Sequence, residues 1–487
     1  MGNFVGIDLG TTFSLLSVFK EDGTSEIIYD ELRFLPSVVY FGESETVFGD
    51  GAINAAEMLE DNVVFQIKKK MPQNLKYSLS FNNSKYSPED ISSLILRKLI
   101  SDAEIKIGKI DTATITVPAF YNDIAREATR NAALKAGIIN PTIINEPVSA
   151  ALYYSRTKNT NGKVLIYDLG GGTLDCSVAE INGDNVKILA SRGDSFGGSD
   201  FNEKLFDLIN QAYIKEKGVP ISSNLEKSRM ANYLKIELYK KLLDKQSEIK
   251  VSIDGDNGNY QFSILSSDFH NKIEEYILKS EMIIETLLEE LKLDKSEIDE
   301  VLLVGGSTRL PLIQDHLKKT LNKDKLNTTA NVDEIVCLGA SINCALRNQD
   351  DQSPEQKTNL GDANLSDVVN KYYGTRILNQ AMNKRVNMVM INKNDSYPTS
   401  YTHVFETVSD NSRLSCILTE SEISTEDLNF TEIIGETLLD DLGSGRGPGM
   451  PIEVTFTVNR DMILKCSYKD IKTGKEVFLD TDLNVVE

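Results

Sequence analysis

The residues best suited to chemistry form a turn of acids, glycines and a hydroxyl between two apolar runs: Asp168, Gly170, Gly171, Gly172, Thr173 and Asp175. Apolar runs on both sides of so short a turn predict two strands joined by a tight hairpin. Consecutive glycines leave backbone N–H groups open to an anion such as a phosphate. The acids suit a hydrated Mg²⁺, which prefers oxygen ligands and keeps several waters. The alternative is an ordinary glycine-rich hairpin with solvated acids.

The same arrangement opens the chain, where an apolar run is followed by Asp8, Gly10, Thr11 and Thr12 and then by a second apolar run. A device repeated far along a sequence indicates two similar lobes that face one ligand. Two such hairpins would hold phosphates from both sides, which favours a nucleotide site over two unrelated turns.

Two further glycine turns follow in the chain. One contains Gly197 and Gly198 and precedes a helix expected from about Asp200, and the other contains Gly305, Gly306, Ser307 and Arg309 after an apolar strand. A helix start after paired glycines can accept a ribose or a phosphate. Positive charge near the site could come from Lys68, Lys235 or Arg309, although the run Lys68–Lys70 also suits a solvated face. Glu146 follows an apolar strand, and a residue at a strand end can either contact a ligand or belong to a turn.

Composition narrows the class of protein. With 487 residues the chain should form more than one domain, and its 40% hydrophobic and 26% charged content is typical of a globular protein. We find neither a membrane-spanning run nor room for a leader before the first strand, which predicts a cytoplasmic protein. The net charge of −21 argues against nucleic acid as a partner. The scattered cysteines predict reduced, buried thiols and no zinc site: Cys176, Cys337, Cys344, Cys416 and Cys466.

The pattern of elements changes along the chain. Residues 1–346 alternate strands and helices, including a helix capped by Ser87 and long helices near 225–245 and 267–293; residues 347–367 are polar and aperiodic and predict a linker. Residues 368–487 contain short alternating strands and predict a β-sandwich. Four apolar residues of this part could line a peptide groove or belong to the sandwich core: Leu378, Phe405, Val408 and Leu414.

Five segments resemble the DnaK-type, seventy-kilodalton heat-shock chaperone family: Gly6–Thr12, Ile115–Ala119, Ile144–Pro147, Asp168–Thr173 and Leu303–Arg309. The resemblance implies an α/β fold, a two-lobed actin-like ATPase domain with duplicated ribonuclease-H-like lobes, followed by a peptide-binding β-sandwich. Because the chain stops at Glu487, we expect a short member without the helical lid. The implied activity is hydrolysis of ATP to ADP and phosphate, which regulates the binding of unfolded or extended polypeptide.

The resemblance also implies a role for each matching residue. Asp8 and Asp168 would hold hydrated Mg²⁺, with Asp175 nearby. Thr11 and Thr12 would contact phosphate, and Lys68 would reach the γ-phosphate. Glu146, Thr173 and Asp175 would position the attacking water and a monovalent cation such as K⁺. The adenosine would be held by Gly305, Ser307, Arg309 and Lys235.

Partners and alternatives follow from the same comparison of motifs. The resemblance implies a J-domain cochaperone and a nucleotide exchange factor, although Thr142 stands where the family usually has an arginine that helps to engage the J-domain. Asn232 and Tyr239 stand where an acid and a small hydroxyl residue are expected on the adenosine helix, and the aliphatic linker motif is diluted to Leu365–Val369. Two other functions stay open, a regulatory ATP-binding scaffold and a small-molecule kinase on the same fold.

Overall fold

The computed structural model describes residues 3–28, 34–57, 62–74, 76–158, 161–221, 235–255, 258–324, 326–328, 331–361, 363–409, 412–443 and 445–480. The chain divides into two compact units. The first comprises residues 1–120, 128–186 and 191–365, and the second comprises residues 121–127, 187–190 and 366–487.

The first sheet of the larger unit has six strands. Five follow the spatial order Asn140–Asn145, Thr112–Val117, Phe4–Leu9, Phe13–Phe19 and Ser25–Ile27, and the sixth, Leu35–Pro36, pairs with Phe13–Phe19. The first three of these strands run parallel, so their carboxyl ends meet at one edge of the sheet. Phe4–Leu9 is almost entirely buried, which explains why it reads as an apolar run without alternation. The predicted hairpin between Phe4–Leu9 and Phe13–Phe19 is confirmed.

The second sheet repeats this plan. Asn161–Leu169 pairs in parallel with Glu300–Val304 and forms an antiparallel hairpin with Leu174–Asn182, in which Asp168 lies opposite Asp175. The chain then continues into the strand Asn185–Asp194. The second predicted hairpin is therefore confirmed as well, and the acids again lie where parallel strands end.

Helices cover these sheets. Their bounds are Asp50–Glu57, Pro88–Ile107, Asp123–Ala136, Glu146–Lys158, Gly198–Lys217, 235–243, Ser266–Leu291, Pro311–Leu321 and Ile335–Arg347. The predicted cap of the second helix is confirmed, because the Asp90 N–H donates to Ser87 Oγ and the Ser87 N–H donates to Asp90 Oδ2. Helices Glu146–Lys158 and Ile335–Arg347 approach so closely that a Cβ added at Gly339 would lie 1.8 Å from the Ser149 carbonyl oxygen. This close packing requires glycine at that position.

Short elements complete the larger unit. Its remaining strands are Val39–Phe41, Thr46–Phe48, Val63–Val64, Leu79–Phe81, Ser84–Tyr86, Glu248–Gly255 and Gly258–Leu265, and its 3₁₀ turns are Ile67–Gln73, Lys295–Glu297, Gly306–Arg309 and Gln349–Asp351. The helix predicted to begin at the paired glycines Gly305 and Gly306 instead begins at Pro311, after a 3₁₀ turn. Most of the first half of the helix predicted near 225–245 lies outside the described residues.

The segment predicted as a linker contains regular structure. It includes the 3₁₀ turn Gln349–Asp351, the helix Pro354–Leu360 and part of the strand Asn364–Val368. The Ser353 hydroxyl accepts from the Gln356 N–H, and the Gln356 side chain accepts from the Ser353 N–H. This helix is too short to produce a hydrophobic period, although its capping sequence is a recognisable start signal.

The smaller unit contains two four-stranded antiparallel sheets. In spatial order, one consists of Lys384–Ile391, Tyr372–Asn379, Leu414–Ser421 and Glu432–Leu439, and the other of Thr399–Glu406, Pro451–Val458, Leu464–Asp470 and Glu476–Asp480. Buried residues of both sheets form one apolar core that includes Leu418, Phe456 and Leu464. The strand Ser396–Tyr397 and the 3₁₀ turn Leu428–Phe430 lie between these elements. The sequence did not predict the strands Tyr372–Asn379 and Glu432–Leu439. In both, exposed apolar residues interrupt the alternation of buried apolar and exposed polar side chains.

Two findings bear on the expected class of protein. All five cysteines are buried and unbridged, as predicted. Within the described residues, no helix combines the length and the hydrophobicity that a membrane crossing requires.

Candidate functional site

The two Asp-Leu-Gly hairpins meet in the larger unit. A Cβ added at Gly171 would lie 2.4 Å from Thr12 Oγ1, and one added at Gly172 would lie 2.8 Å from Thr11 Oγ1. Glycine is therefore required for the second hairpin to approach the hydroxyl turn of the first. The Gly170 N–H donates to the Thr173 carbonyl at 3.0 Å and closes the second turn.

The other two glycine turns join the same place. The N–H groups of Gly198 and Ser199 donate to the carbonyls of Gly170 and Gly171 at 3.0 and 2.7 Å. The Ser307 hydroxyl donates to the Gly170 carbonyl at 2.9 Å, and Gly305 follows the strand that pairs with Asp168. The four predicted turns, which are far apart in the chain, thus form one cluster of backbone and hydroxyl groups, most of them buried or half-buried.

A buried ion pair lies at this cluster. Lys68, in the 3₁₀ turn Ile67–Gln73, donates to Glu146, the first residue of its helix, and the two side chains are only 7% and 8% exposed. Burial lowers the pKa of Lys68, but the carboxylates of Glu146, Asp8 and Asp168 outweigh burial and raise it. Burial raises the pKa of Glu146 against the opposing charge of Lys68.

Three aspartates surround this pair. Asp8 accepts from the Thr116 hydroxyl at 2.9 Å, and Asp175 accepts from the Ala119 N–H at 2.8 Å. Burial, reinforced by the neighbouring carboxylates, holds the pKa of Asp168 and Asp175 well above the usual range, and burial also raises the pKa of Asp8. Carboxylates this close and this buried repel one another and favour an added cation.

The donor set fits hydrated magnesium. Asp175 Oδ2 is buried and has no hydrogen-bond partner among the residues that the structure describes, which suits contact with a water or a cation. In the described part of the chain, no three Asp, Glu, His or Cys side chains stand close enough to bind one metal directly. Asp8 and Asp168 would suit a Mg²⁺ ion held through its water shell, the mode that this ion prefers.

The remaining predicted residues lie either inside the cluster or at its edge. Thr11 and Thr173 are buried in the cluster, Thr12 is half-buried, and Gly10 accepts from the Ser37 hydroxyl at 2.8 Å. Arg309 is 56% exposed and makes two bonds to the Asp333 carboxylate, at 2.9 and 2.6 Å. Arg309 thus lies at the edge of the cluster, where its planar guanidinium remains accessible.

Lys240 reaches the cluster, whereas Lys235 is exposed on the same helix. Lys240 Nζ donates to the Gly198 carbonyl at 3.2 Å and to Glu237 at 2.8 Å. Five residues of an α-helix rotate the side chain by about 140°, so the two lysines cannot share a face. Lys240 and Glu237 were not predicted from the sequence, although their spacing of i,i+3 is that of a Glu–Lys pair on one helix face. Glu237 also supplies an acid on this helix, while Tyr239 bonds the Ser252 backbone and Asn232 lies outside the described residues.

The four candidate groove residues of the smaller unit behave differently from one another. Leu378 is 39% and Val408 is 41% exposed. Phe405 and Leu414 are partly buried and pack against the apolar core of that unit. The exposure of Leu378 and Val408 therefore agrees with a groove, and the packing of Phe405 and Leu414 agrees with the core.

A comparison with protein-family models places this geometry in a known context. Residues 4–483 match the family described as Hsp70 protein. Members of that family are ATP-dependent chaperones that bind nucleotide with Mg²⁺ and hydrolyse it, and they bind unfolded polypeptide and cochaperones in general. The match extends over nearly the whole chain, so the chain belongs to the Hsp70 family.

Proposed function

We propose that this chain is an ATP-hydrolysing chaperone whose nucleotide binds at the cluster of four glycine turns. The observation that carries the proposal is the convergence of these turns on the buried Lys68–Glu146 pair and three buried aspartates. Phosphoryl transfer needs positioned charge rather than covalent catalysis, and this cluster offers that arrangement.

Each residue has a proposed part in binding or orientation. Thr11 and Thr12, with the backbone N–H groups of Gly171 and Gly172, bind phosphate oxygens. Asp8 and Asp168 hold the water shell of Mg²⁺, which neutralises phosphate charge when it is bound. Lys240 and Glu237 bind the nucleoside together with Ser307 and Arg309, a role first expected of Lys235.

The chemical step then depends on two carboxylates. Glu146 aims the Lys68 ammonium at the terminal phosphoryl group, and Lys68 stabilises the negative charge that develops there. Asp175, with its free oxygen and the adjacent Thr173 hydroxyl, orients the attacking water. A monovalent cation at this position remains a prediction.

The smaller unit is the proposed polypeptide-binding part. Leu378 and Val408 expose apolar surface, whereas Phe405 and Leu414 pack on the core of the same unit. An extended peptide with aliphatic side chains would bury this surface. Hydrolysis at the larger unit would change the affinity for peptide only if nucleotide interacts differently with two states of the protein.

ATP turnover measured with and without an unfolded model polypeptide tests the proposal. We expect slow hydrolysis that the polypeptide accelerates. The variants Lys68→Ala and Asp175→Asn serve as references that should lack this activity. Tight ATP binding without turnover would favour the regulatory scaffold. Transfer of phosphate to a small metabolite instead of water would favour the kinase.

A further inference from the structure

The three consecutive lysines Lys68, Lys69 and Lys70 have three different environments. Lys68 pairs with Glu146 inside the cluster, and Lys70 lies 5.3 Å from the ring centre of Tyr77. The Lys69 ammonium lies 3.0 Å from both carboxylate oxygens of Asp200 and 3.4 Å from Ser199 Oγ. The interpretation of this run as a solvated face therefore fails for two of its three members.

The Lys69–Asp200 pair joins two elements of the larger unit that are far apart in the chain. Lys69 is in the 3₁₀ turn Ile67–Gln73, and Asp200 is in the first turn of the helix Gly198–Lys217. The two side chains are 23% and 16% exposed, so the pair is largely shielded from water. A shielded, two-oxygen contact of this kind is stronger than a typical surface ion pair.

Both ends of the pair are fixed to the glycine turns. Asp200 Oδ2 also accepts from the Gly197 N–H at 2.8 Å, next to the N–H groups of Gly198 and Ser199 that bond the second hairpin. At the other end, a Cβ added at Gly172 would lie 2.9 Å from Lys69 Cγ. The aliphatic stem of Lys69 therefore crosses the second hairpin before its ammonium reaches Asp200.

We propose that Lys69 and Asp200 form a latch across the nucleotide cleft that sets how long nucleotide stays bound. This inference rests on the proposed function, since it requires nucleotide at the glycine turns. Lys69 is a positioning residue, because its ammonium binds the Asp200 carboxylate and acts through that contact. Release of nucleotide requires the two sides of the cleft to separate, and that separation breaks the pair.

The test is the dissociation rate of a fluorescent ADP analogue, measured in the full chain by displacement with excess ADP. Lys69→Met keeps the stem but removes the charge, and it should speed dissociation about tenfold. Lys69→Arg should restore slow release. Lys70→Met is the matched control and should release the analogue at the wild-type rate.

A double-mutant cycle separates the latch from a merely structural role. Asp200→Asn retains an oxygen for the Gly197 N–H but loses the charge, so it should also release faster. If the two residues act as one pair, Lys69→Met combined with Asp200→Asn should be no faster than the faster single variant.

The outcomes distinguish the latch from the proposed function. Unchanged release from Lys69→Met, or additive effects in the double variant, would overturn the latch while leaving ATP binding intact. A wild-type protein that binds no analogue would instead contradict the proposed function. A thermal melt of each variant shows whether it is folded before its rate is compared.

Discussion

The Lys68–Glu146 pair shows how single residues can hold a charge at a fixed position inside the protein. Both groups are buried, and Lys68 also faces Asp8 and Asp168. Breaking a buried pair by removing one member is costly, because the other charge is left without compensation. Such a pair is therefore fixed in place, which is what a phosphate-directed cation requires.

Removal of the Lys68 charge should abolish most catalysis. Lys68→Ala should lower the single-turnover rate of ATP hydrolysis about a hundredfold, the typical loss when one preorganised electrostatic group is deleted. Lys70→Ala removes a neighbouring lysine outside the cluster and should retain the wild-type rate. A Lys68→Ala rate equal to that of Lys70→Ala would remove Lys68 from the reaction.

Asp175 provides a prediction about pH. Burial raises its pKa, so the folded protein binds this proton more tightly than the unfolded chain does. The resulting stabilisation is present at low pH and is lost as the pH rises through the folded-state pKa. Metal-free Asp175→Asn, which carries no charge, should therefore be more stable than the wild type at pH 7.5 by roughly 1 to 2 kcal/mol.

Urea denaturation in EDTA at several pH values measures this difference. The advantage of Asp175→Asn should shrink as the pH approaches about 4, where an unfolded aspartate is itself half protonated. The same variant should hydrolyse ATP poorly. A variant that is less stable than the wild type at pH 7.5 would show that the Asp175 carboxylate is already compensated within the protein.

At the scale of elements, the hairpins were predictable because their glycines and acids stand between unbroken apolar runs. Lys240 was not, since a helix of mixed charge offers several lysines and the sequence does not say which faces the cluster. The contact of Lys69 could not be predicted for a different reason, since its partner Asp200 is 131 residues away in the sequence. The helix Pro354–Leu360 was missed because its 7 residues, about two turns, are too few to show a hydrophobic period.

Contact between the hairpins predicts a steric effect. Gly171→Ala would place a methyl group 2.4 Å from Thr12 Oγ1 and force the two turns apart. We expect the affinity for Mg–ATP, measured by calorimetry, to fall at least tenfold. At Gly170 an added Cβ has no heavy atom nearer than 3.9 Å, so Gly170→Ala should lose less affinity. Equal losses would show that the close approach of Gly171 to Thr12 is not what matters.

Helix packing gives a second prediction at this scale. Gly339→Ala would drive a methyl group into the Ser149 backbone at 1.8 Å, between the helices Ile335–Arg347 and Glu146–Lys158. Neither helix can shift freely, so the variant should lose about 3 kcal/mol of unfolding free energy. Gly170→Ala, where the added Cβ would have no heavy atom nearer than 3.9 Å, tests whether glycine replacement alone has that effect in urea denaturation. A Gly339→Ala variant as stable as the wild type would contradict the packing.

At the scale of the whole molecule, the family match extends over both compact units of the chain. Coupling between nucleotide and peptide binding is reciprocal, so ATP should alter peptide release if the chain works as a chaperone. A fluorescent peptide bound in ADP should dissociate faster when ATP is added. The Lys68→Ala variant should bind ATP and still release peptide, because release depends on binding and not on hydrolysis. Identical release in ADP and ATP would leave the two units uncoupled.

The most direct test of the account is calorimetric titration of the purified protein with ATP in the presence of magnesium. We expect one tight site per chain and a large loss of affinity when EDTA replaces magnesium. The double variant Asp8→Asn, Asp168→Asn should lose a similar amount of affinity. No binding of ATP with magnesium present, or undiminished magnesium-dependent binding in the double variant, would contradict the placement of the nucleotide between the two hairpins.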